Sequence, residues 1–139
     1  MNIYTDGSCL YNPGPGGWAV LILQDEWEWE ISGNDTNTTN NKMELQAVVE
    51  AIKFVNTQCL GNDLCIYSDS QYVINGITKW IENWIKKEWK KIKNVELWKE
   101  LYKLSKEKNI QWEWVKAHAD NKYNNRVDKL ARDAAKNVK

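Results

Sequence analysis

The stretch NIYTDGSCLYNPGPGGW, residues 2 to 18, begins as a β-strand and then places an acid at the end of its apolar run. Residues 3 to 5 are apolar or β-prone, and Asp6, Gly7 and Ser8 follow them. An unpaired buried charge costs roughly several kcal/mol. We therefore expect a core strand whose terminal carboxylate has partners elsewhere in the chain.

A second hydrophobic strand, in CIYSDSQYV, has the same design. Leu64 to Tyr67 run into Asp69 and then Ser70. If this strand and the first are parallel neighbours, their carboxyl ends lie at one edge of the sheet, and Asp6 and Asp69 face each other. Either aspartate alone could be a turn residue or a helix cap, but that alternative fits the pair less well.

A third acid lies in TTNNKMELQAVVEAIKFV, residues 38 to 55. Glu44 shares a helical face with four apolar residues, namely Ala47, Val48, Ala51 and Val55. This face should be buried against the sheet, which brings the Glu44 carboxylate toward it. The alternative is a capping-box glutamate that follows Asn40 or Asn41.

The fourth acid, Asp128, is expected at the start of a helix. It borders an apolar stripe formed by Val127, Leu130, Ala131, Ala134 and Ala135. The helix macrodipole favours an acid in a first helical turn in any case, so Asp128 alone indicates little. Four carboxylates together suggest a metal site, because oxygen-only clusters favour hard cations, and two Mg²⁺ ions about 3.5 to 4 Å apart can stabilise both oxygens of a phosphodiester displacement.

The net charge of zero conceals a segregated charge distribution. Residues 1 to 78 carry 2 Lys and 10 acids, whereas residues 79 to 139 carry 17 Lys or Arg and 9 acids. The segment KWIENWIKKEWKKIK, residues 79 to 93, holds six Lys with three interleaved Trp. Such a segment could bind a phosphate backbone. The composition of this segment is equally consistent with a solvated helix face whose tryptophans turn inward.

Length and composition predict a single domain over residues 1 to 139, since the chain is 42% apolar and 27% charged. We expect no membrane partner and a cytoplasmic location, because neither a ~20-residue apolar run nor a basic-then-apolar leader is present. The three cysteines are odd in number and lack C-x2-C spacing. They are expected to be reduced packing residues.

The apolar periodicity predicts a mixed α/β fold in which β-rich structure precedes helix-rich structure. Short connections favour antiparallel hairpins among the first three strands, and a helix crossover allows the first and fourth strands to pair in parallel. We expect strands near 1–8, 17–24, 27–34, 63–68 and 110–115. Helices are expected near 42–58, 70–77, 79–87, 94–108 and 122–137.

With these residues assembled, nearly the whole chain resembles a bacterial-type ribonuclease H, type 1. The resemblance rests on TDGSCLYNPGPGGW, TTNNKMEL, YSDSQYV, GITKWIENW, NVELW and WEWVKAHA followed by NNRVDKLA. It implies an RNase H-like α/β fold, with a five-stranded mixed sheet flanked by helices on both faces. It also implies an endonuclease that hydrolyses the RNA strand of RNA/DNA hybrids and leaves 3′-hydroxyl and 5′-phosphate ends. We further expect a monomer that uses two Mg²⁺ ions with substrate, for which Mn²⁺ can substitute.

The resemblance also implies roles for individual residues. Asp6, Glu44, Asp69 and Asp128 become catalytic metal ligands, and His118 becomes a loop histidine that assists proton transfer or product release. Residues near the cleft would contact the two strands, namely Asn12, Thr39, Asn40, Asn41 and Gln71, with Thr39 in the segment that contacts a DNA phosphate. The basic protrusion would lie along the DNA strand and carries Trp80, Trp84, Lys86, Lys87, Trp89, Lys90 and Lys91.

The chain departs from the family pattern at Ala117, Asp120 and Asn125 around the histidine loop, and at Tyr11, where glycine is frequent. None of these changes removes a proposed ligand. Two alternatives remain to be tested, a catalytically silent nucleic-acid-binding domain of this fold and a resolvase- or integrase-type DNA nuclease. The intact acids argue against the first, and the Asn-rich TTNN segment and the GITKWIENW protrusion argue against the second.

Overall fold

One mixed sheet contains five strands: β1 Asn2–Cys9, β2 Gly14–Gln24, β3 Trp27–Thr38, β4 Asp63–Ser68 and β5 Asn109–Trp114. The computed structural model describes residues 1–117 and 119–138. The strand order in the sheet is β3-β2-β1-β4-β5. β1 pairs antiparallel with β2 and β2 with β3, whereas β1 pairs parallel with β4 and β4 with β5. Both predicted pairing patterns are therefore confirmed.

Helices cover both faces of this sheet, which confirms the predicted fold class. The helices are α1 Asn40–Thr57, α2 Gln71–Asn75, α3 Ile81–Lys86, α4 Val95–Lys106 and α5 Lys122–Lys136. α1 packs against β1 and β2 on one face and supports α4, while α5 packs against β1, β2 and β3. A π-helical segment, Gly76–Trp80, joins α2 to α3.

The central strand β1 is buried on both faces, which explains its continuous apolar run. Ile3 belongs to the core beneath α1, and Tyr4 belongs to the smaller core beneath α5, because successive side chains of a strand point to opposite faces. The larger core also contains Trp98 and Leu101 of α4, both fully buried. The two cores hold α1 and α5 on the sheet and so fix the acids that these helices carry.

Two strand boundaries differ from the sequence prediction. β2 begins at Gly14 and β3 continues to Thr38, since these two residues pair with each other beyond a register shift. Glycines, prolines and polar residues predicted a loop here, but backbone pairing at the sheet edge continues through them. β1 covers Asn2–Cys9, close to the predicted range 1–8, so Asp6 lies inside the strand and not at its end.

The predicted helix over residues 79–87 is also shorter in the structure. α3 begins at Ile81, since the preceding residues form the π-helical segment, in which Gly76 packs directly on Trp98. After Lys87 the chain turns, and Glu88 and Trp89 adopt left-handed backbone conformations with φ of 56° and 62°. Across residues 1–117 and 119–138, every helix is too short or too polar to cross a membrane.

Candidate active site

Three of the four predicted acids meet at the carboxyl edge of β1 and β4. The last parallel pair is Thr5 with Ser68, so Asp6 and Asp69 follow at the same level. α1 adds Glu44, and one carboxylate oxygen from each of the three residues lies within 4.8 Å of the others. Asp6 and Glu44 are buried, and Asp69 is half-buried. The three acids therefore form a largely buried cluster of carboxylate oxygens.

Glu44 reaches the cluster because Gly7 has no side chain. A Cβ at Gly7 would collide with the backbone of Met43 and Glu44, so this glycine lets α1 approach β1 closely. The Gly7 N–H donates to Glu44 Oε1 and also to Asp6 Oδ1, the latter over 2.9 Å. One backbone donor thus orients two carboxylates of the cluster.

Neither Glu44 nor Asp69 caps a helix. The N-cap of α1 is Thr39, whose Oγ1 accepts from the Lys42 N–H at 3.2 Å. The N-cap of α2 is Ser70, whose Oγ accepts from the Val73 N–H at 3.2 Å. Local helix stabilisation therefore does not account for the two acids, and the capping-box alternative for Glu44 is wrong.

Asp128 lies in the second turn of α5, so its expected place at the start of the helix is wrong. α5 begins at Lys122, and the Asn121 side chain caps it. The Asp128 side chain is 19% exposed and accepts a hydrogen bond from Arg132 Nε at 3.2 Å. It approaches the cluster from the opposite face of the sheet and comes close enough to Asp6 to act on its pKa.

The cluster makes its own ionisation unfavourable. Burial, with the negative charges of Asp69 and Asp128, raises the pKa of Asp6 to about 8, although a hydrogen bond with Glu44 acts in the opposite direction. Burial and the neighbouring Asp6 raise the pKa of Glu44 well above its usual range, while the Gly7 N–H lowers it. Crowded acids of this kind are stabilised by a cation in their midst.

The donor set fits a hard divalent cation. All the converging groups are carboxylates, and Mg²⁺ prefers oxygen ligands, often only one or two carboxylates supplemented by substrate phosphate and water. The residues present therefore match the predicted divalent metal site.

A cleft of about 440 Å³ lies beside the N-terminus of α1. Asn12 stabilises its wall, since its Oδ1 accepts from the Asn40 N–H at 3.0 Å. Asn94 donates to the Tyr72 hydroxyl at 3.2 Å on the other side. Four of the seven residues that line the cleft were predicted to bind substrate and three were not: Asn12, Thr39, Asn40 and Asn41, then Tyr72, Lys93 and Asn94.

Sequence reasoning missed Lys93 and Asn94 because they looked like the end of the basic segment. Asn94 is the N-cap residue of α4 and has a left-handed backbone with φ of 59°. The position of a lysine and an asparagine immediately before an amphipathic helix could have indicated these two residues as substrate contacts. Their position opposite Asn12 depends on how α4 packs against α1, which local patterns do not specify.

Gln71 lies apart from that cleft. It lines a second cavity of about 290 Å³, together with Ile74, Asn75, Lys79 and Trp114. Trp114 connects this cavity to the acids, since its indole N–H donates to the backbone oxygen of Asp69 at 3.1 Å. The predicted substrate contacts therefore divide between two cavities on either side of α2.

The basic segment combines inward-facing tryptophans with outward-facing lysines. The Trp84 ring packs on Trp80, Trp89 and Trp98, with ring centroids 6.2, 6.4 and 5.0 Å away. Trp84 and Trp89 are half-buried, whereas Trp80 is 42% exposed. The exposed positive charges are Lys86, Lys87, Lys90 and Lys91. The tryptophans thus anchor a surface from which these lysines project.

His118, which was predicted to assist catalysis, lies outside the described residues.

Comparison with known proteins identifies the family. The RNase H family model matches residues 1–136, which shows that the chain belongs to the RNase H family. A protein named Ribonuclease H from Thermoanaerobacter sp. (strain X514) is 49% identical over 142 residues, which cover 98% of this chain and 90% of that protein. The prediction of an enzyme, a ribonuclease H, is thereby confirmed.

Solved structures confirm the RNase H-like fold. LC9-RNase H1, described as a type 1 RNase H with the type 2 active-site motif, superposes with a TM-score of 0.88 at 30% identity, over 97% of this chain and 71% of that chain. LC11-RNase H1, solved in complex with an RNA/DNA hybrid, has a TM-score of 0.75 at 22% identity, over 97% of this chain and 96% of that one.

Proposed function

We propose that this chain is an endoribonuclease that hydrolyses the RNA strand of RNA/DNA hybrids, with residues 1–139 acting as one domain. The observation that carries this proposal is the cluster of Asp6, Glu44 and Asp69, with Asp128 beside it, in a member of the RNase H family. Acids crowded together in a buried site are costly, and here they lie at the edge of the sheet where α/β folds bind ligands.

In this proposal the four acids would hold two Mg²⁺ ions when a hybrid is bound, with Mn²⁺ as a substitute. Such ions supply Lewis-acid stabilisation of the phosphodiester and of its attacking and leaving oxygens. The chain's own contribution is orientation, because the Gly7 N–H fixes the carboxylates of Asp6 and Glu44 before substrate arrives.

The proposed reaction is a hydrolysis at phosphorus. An oxygen of water bonds to the phosphorus, and the bond from phosphorus to the 3′ oxygen breaks. The products are an RNA end with a 3′-hydroxyl and one with a 5′-phosphate. His118 is proposed to carry a proton near neutral pH, since an imidazole has a reference pKa of about 6.5.

Two surfaces support binding of a duplex. The cleft between Asn12 and Asn94 offers amides, the Thr39 hydroxyl and the Lys93 ammonium, a combination suited to a phosphate of the DNA strand. The exposed lysines of the basic segment extend the positive charge beyond this cleft and would contact backbone phosphates. LC11-RNase H1, which shares the fold, was itself solved with an RNA/DNA hybrid.

Discrimination for RNA on the cut strand is proposed to depend on the ribose 2′-hydroxyl, which donates and accepts hydrogen bonds. Gln71, in the cavity that Trp114 ties to Asp69, and the backbone near Glu44 are polar groups that could read it. A DNA strand in the same place would leave such groups without partners, which is unfavourable in a desolvated site.

A cleavage assay on three duplexes of one sequence, RNA/DNA, DNA/DNA and RNA/RNA, tests the proposal with Mg²⁺ present. We expect the RNA strand of the hybrid alone to be cut. Comparable cutting of the DNA duplex would favour the resolvase-type nuclease. Tight binding of the hybrid without cleavage, in the presence of Mg²⁺ or Mn²⁺, would favour the silent binding domain.

We also infer a cytoplasmic monomer. All four acids come from one chain, so the site needs no second copy. The cysteines Cys9, Cys59 and Cys65 are free thiols, as expected in a reducing compartment. Light scattering during gel filtration at micromolar concentration should give the mass of one chain, and a stable dimer mass would contradict this.

A further inference from the structure

Trp114 ends β5 beside the acid cluster but remains 46% exposed. Its indole N–H donates to the backbone oxygen of Asp69 at 3.1 Å. This hydrogen bond holds the ring against Asp69, the residue before the α2 N-cap Ser70, and leaves much of the ring in solvent. An exposed aromatic ring held against the backbone of a proposed metal ligand is suited to contact a substrate.

The cavity beside Trp114 has the chemistry of a nucleotide subsite. Gln71 and Asn75 contribute amides and Lys79 contributes an ammonium group, around a volume of about 290 Å³. In a base-paired hybrid an aromatic ring can pack on a ribose at the groove edge, a lysine can contact a phosphate, and amides can hydrogen-bond to the 2′-hydroxyl or to a base edge. In the described part of the chain, residues 1–117 and 119–138, Lys79 forms no ion pair with a carboxylate.

Lys79 is presented by an unusual piece of backbone. It lies in the π-helical segment Gly76–Trp80, and π-helical turns occur frequently at functional sites. The Thr78 hydroxyl donates to the Ile74 carbonyl oxygen at 2.6 Å within this region. The irregular turn therefore belongs to the wall of the cavity that carries the charge.

The position of the cavity indicates which strand it faces. Tyr72 of α2 lines the cleft proposed for the DNA strand, whereas Gln71 and Asn75 line this second cavity on another side of the same helix. The hydrogen bond from Trp114 to the backbone oxygen of Asp69 ties the wall of this cavity to a residue of the acid cluster. A strand that passes over the acids would continue into it.

We propose that the cavity formed by Gln71, Asn75, Lys79 and Trp114 is a subsite for a nucleotide of the cut strand next to the scissile phosphate. Trp114 stacks on its ribose, and Lys79 contacts its phosphate. This inference rests on the proposed hybrid nuclease function and deepens it.

The first test measures hybrid affinity in EDTA, where metal-dependent cleavage is absent. Trp114→Ala and Lys79→Gln should each raise Kd about fivefold or more, since stacking and phosphate contacts are worth at least that much. Trp114→Phe should stay within about twofold of wild type, because it retains the aromatic ring. The matched controls are Trp27→Ala, an exposed tryptophan at the opposite edge of the sheet, and Lys103→Gln on α4; both should leave Kd unchanged.

The second test locates the contacted phosphate. Single neutral methylphosphonates are placed at successive positions of the RNA strand, and separately of the DNA strand. At one RNA-strand position the methylphosphonate should weaken binding by wild type but not by Lys79→Gln, which is coupling in a double-mutant cycle. Lys79 has an exposed side chain, so Lys79→Gln should not impair folding. The proposal can therefore still be tested if Trp114→Ala is unstable.

The outcomes separate the two levels of the claim. If wild type neither binds nor cleaves a hybrid, the proposed function fails. If wild type does both, but Trp114→Ala and Lys79→Gln match it, the subsite is refuted while the function stands. Coupling of Lys79 to a DNA-strand phosphate would equally refute the assignment to the cut strand.

Discussion

Replacing Asp6 by asparagine should stabilise the protein in the absence of divalent metal. The pKa of Asp6 is raised from 3.8 to about 8, chiefly by burial and by the adjacent acids. An acid with a raised pKa in the folded state stabilises folding below its unfolded pKa, near 4. That stability is lost as the pH rises toward 8, because folding must then take up a proton that the unfolded chain has released.

The magnitude follows from the size of the shift. One pH unit corresponds to about 1.36 kcal/mol, so a shift from 3.8 to about 8 bounds the effect at about 6 kcal/mol at alkaline pH. Asparagine removes this term, but its amide is itself polar and buried, which offsets part of the gain. We expect a net stabilisation of about 2 kcal/mol at pH 8.5, equivalent to a rise in Tm of roughly 6 °C for a domain of this size.

Thermal unfolding in EDTA, at pH 5 and at pH 8.5, measures this effect. Asp6→Asn should have a higher Tm than wild type at pH 8.5, and the difference should shrink at pH 5, where Asp6 is protonated. Asp25→Asn serves as the control, since Asp25 is an exposed acid in a left-handed turn that asparagine also accepts. A lower Tm for Asp6→Asn at pH 8.5, or a difference independent of pH, would refute the reasoning.

Four further predictions concern substrate binding, catalysis and packing. Neutralising the basic segment should weaken hybrid binding and make log Kd depend less steeply on log salt concentration. The slope should fall by about 0.9 for each phosphate that the variant no longer neutralises. An unchanged slope would show that these lysines are merely solvated. The lysines changed together are Lys86, Lys87, Lys90 and Lys91. His118→Ala should lower kcat by ~10² to 10⁴-fold, with hybrid affinity unchanged and activity above that of Asp6→Asn; weaker binding at constant turnover would contradict the proton-transfer role. Tyr11→Gly should stabilise the fold by about 1 kcal/mol in denaturant titrations, because Tyr11 has φ of 62°, and no gain would show that this backbone is unstrained. Gly7→Ala should lower Tm and activity together, since its Cβ meets the α1 backbone; wild-type values for both would refute that packing.

The sheet could be predicted from the sequence because its strands carry their own signals. Ile3 and Ile66 lie in apolar runs, and short hairpin connections specify antiparallel neighbours. The extension of β3 to Thr38 could not be predicted, since Asn and Asp residues favour loops and only pairing with β2 overrides them. The π-helical segment that begins at Gly76, whose backbone packs on the distant side chain of Trp98, could not be predicted from local sequence either.

The acid cluster was predictable for a different reason. Parallel pairing places Asp6 and Asp69 at one edge, and helical spacing turns Glu44 toward the sheet. α5 begins at Lys122, as the sequence predicted, so the expected place of Asp128 at the start of the helix did not follow from the predicted helix; counted from the Asn121 cap, Asp128 lies in the second turn. The Trp114 cavity joins β5 to α2 through tertiary packing, and no local pattern reveals it.

Single-turnover cleavage of one RNA/DNA hybrid, labelled at the 5′ end of the RNA, tests the central claim most directly. Wild type with Mg²⁺ should cut only the RNA strand and leave products with 3′-hydroxyl ends that a polymerase extends. Asp6→Asn, shown to be folded by its thermal transition, should reduce the rate by more than ~10⁴-fold, beyond the loss typical of a general acid or base. Near-normal cleavage by Asp6→Asn, or products that a polymerase cannot extend, would contradict the assignment of the acid cluster as the catalytic metal site.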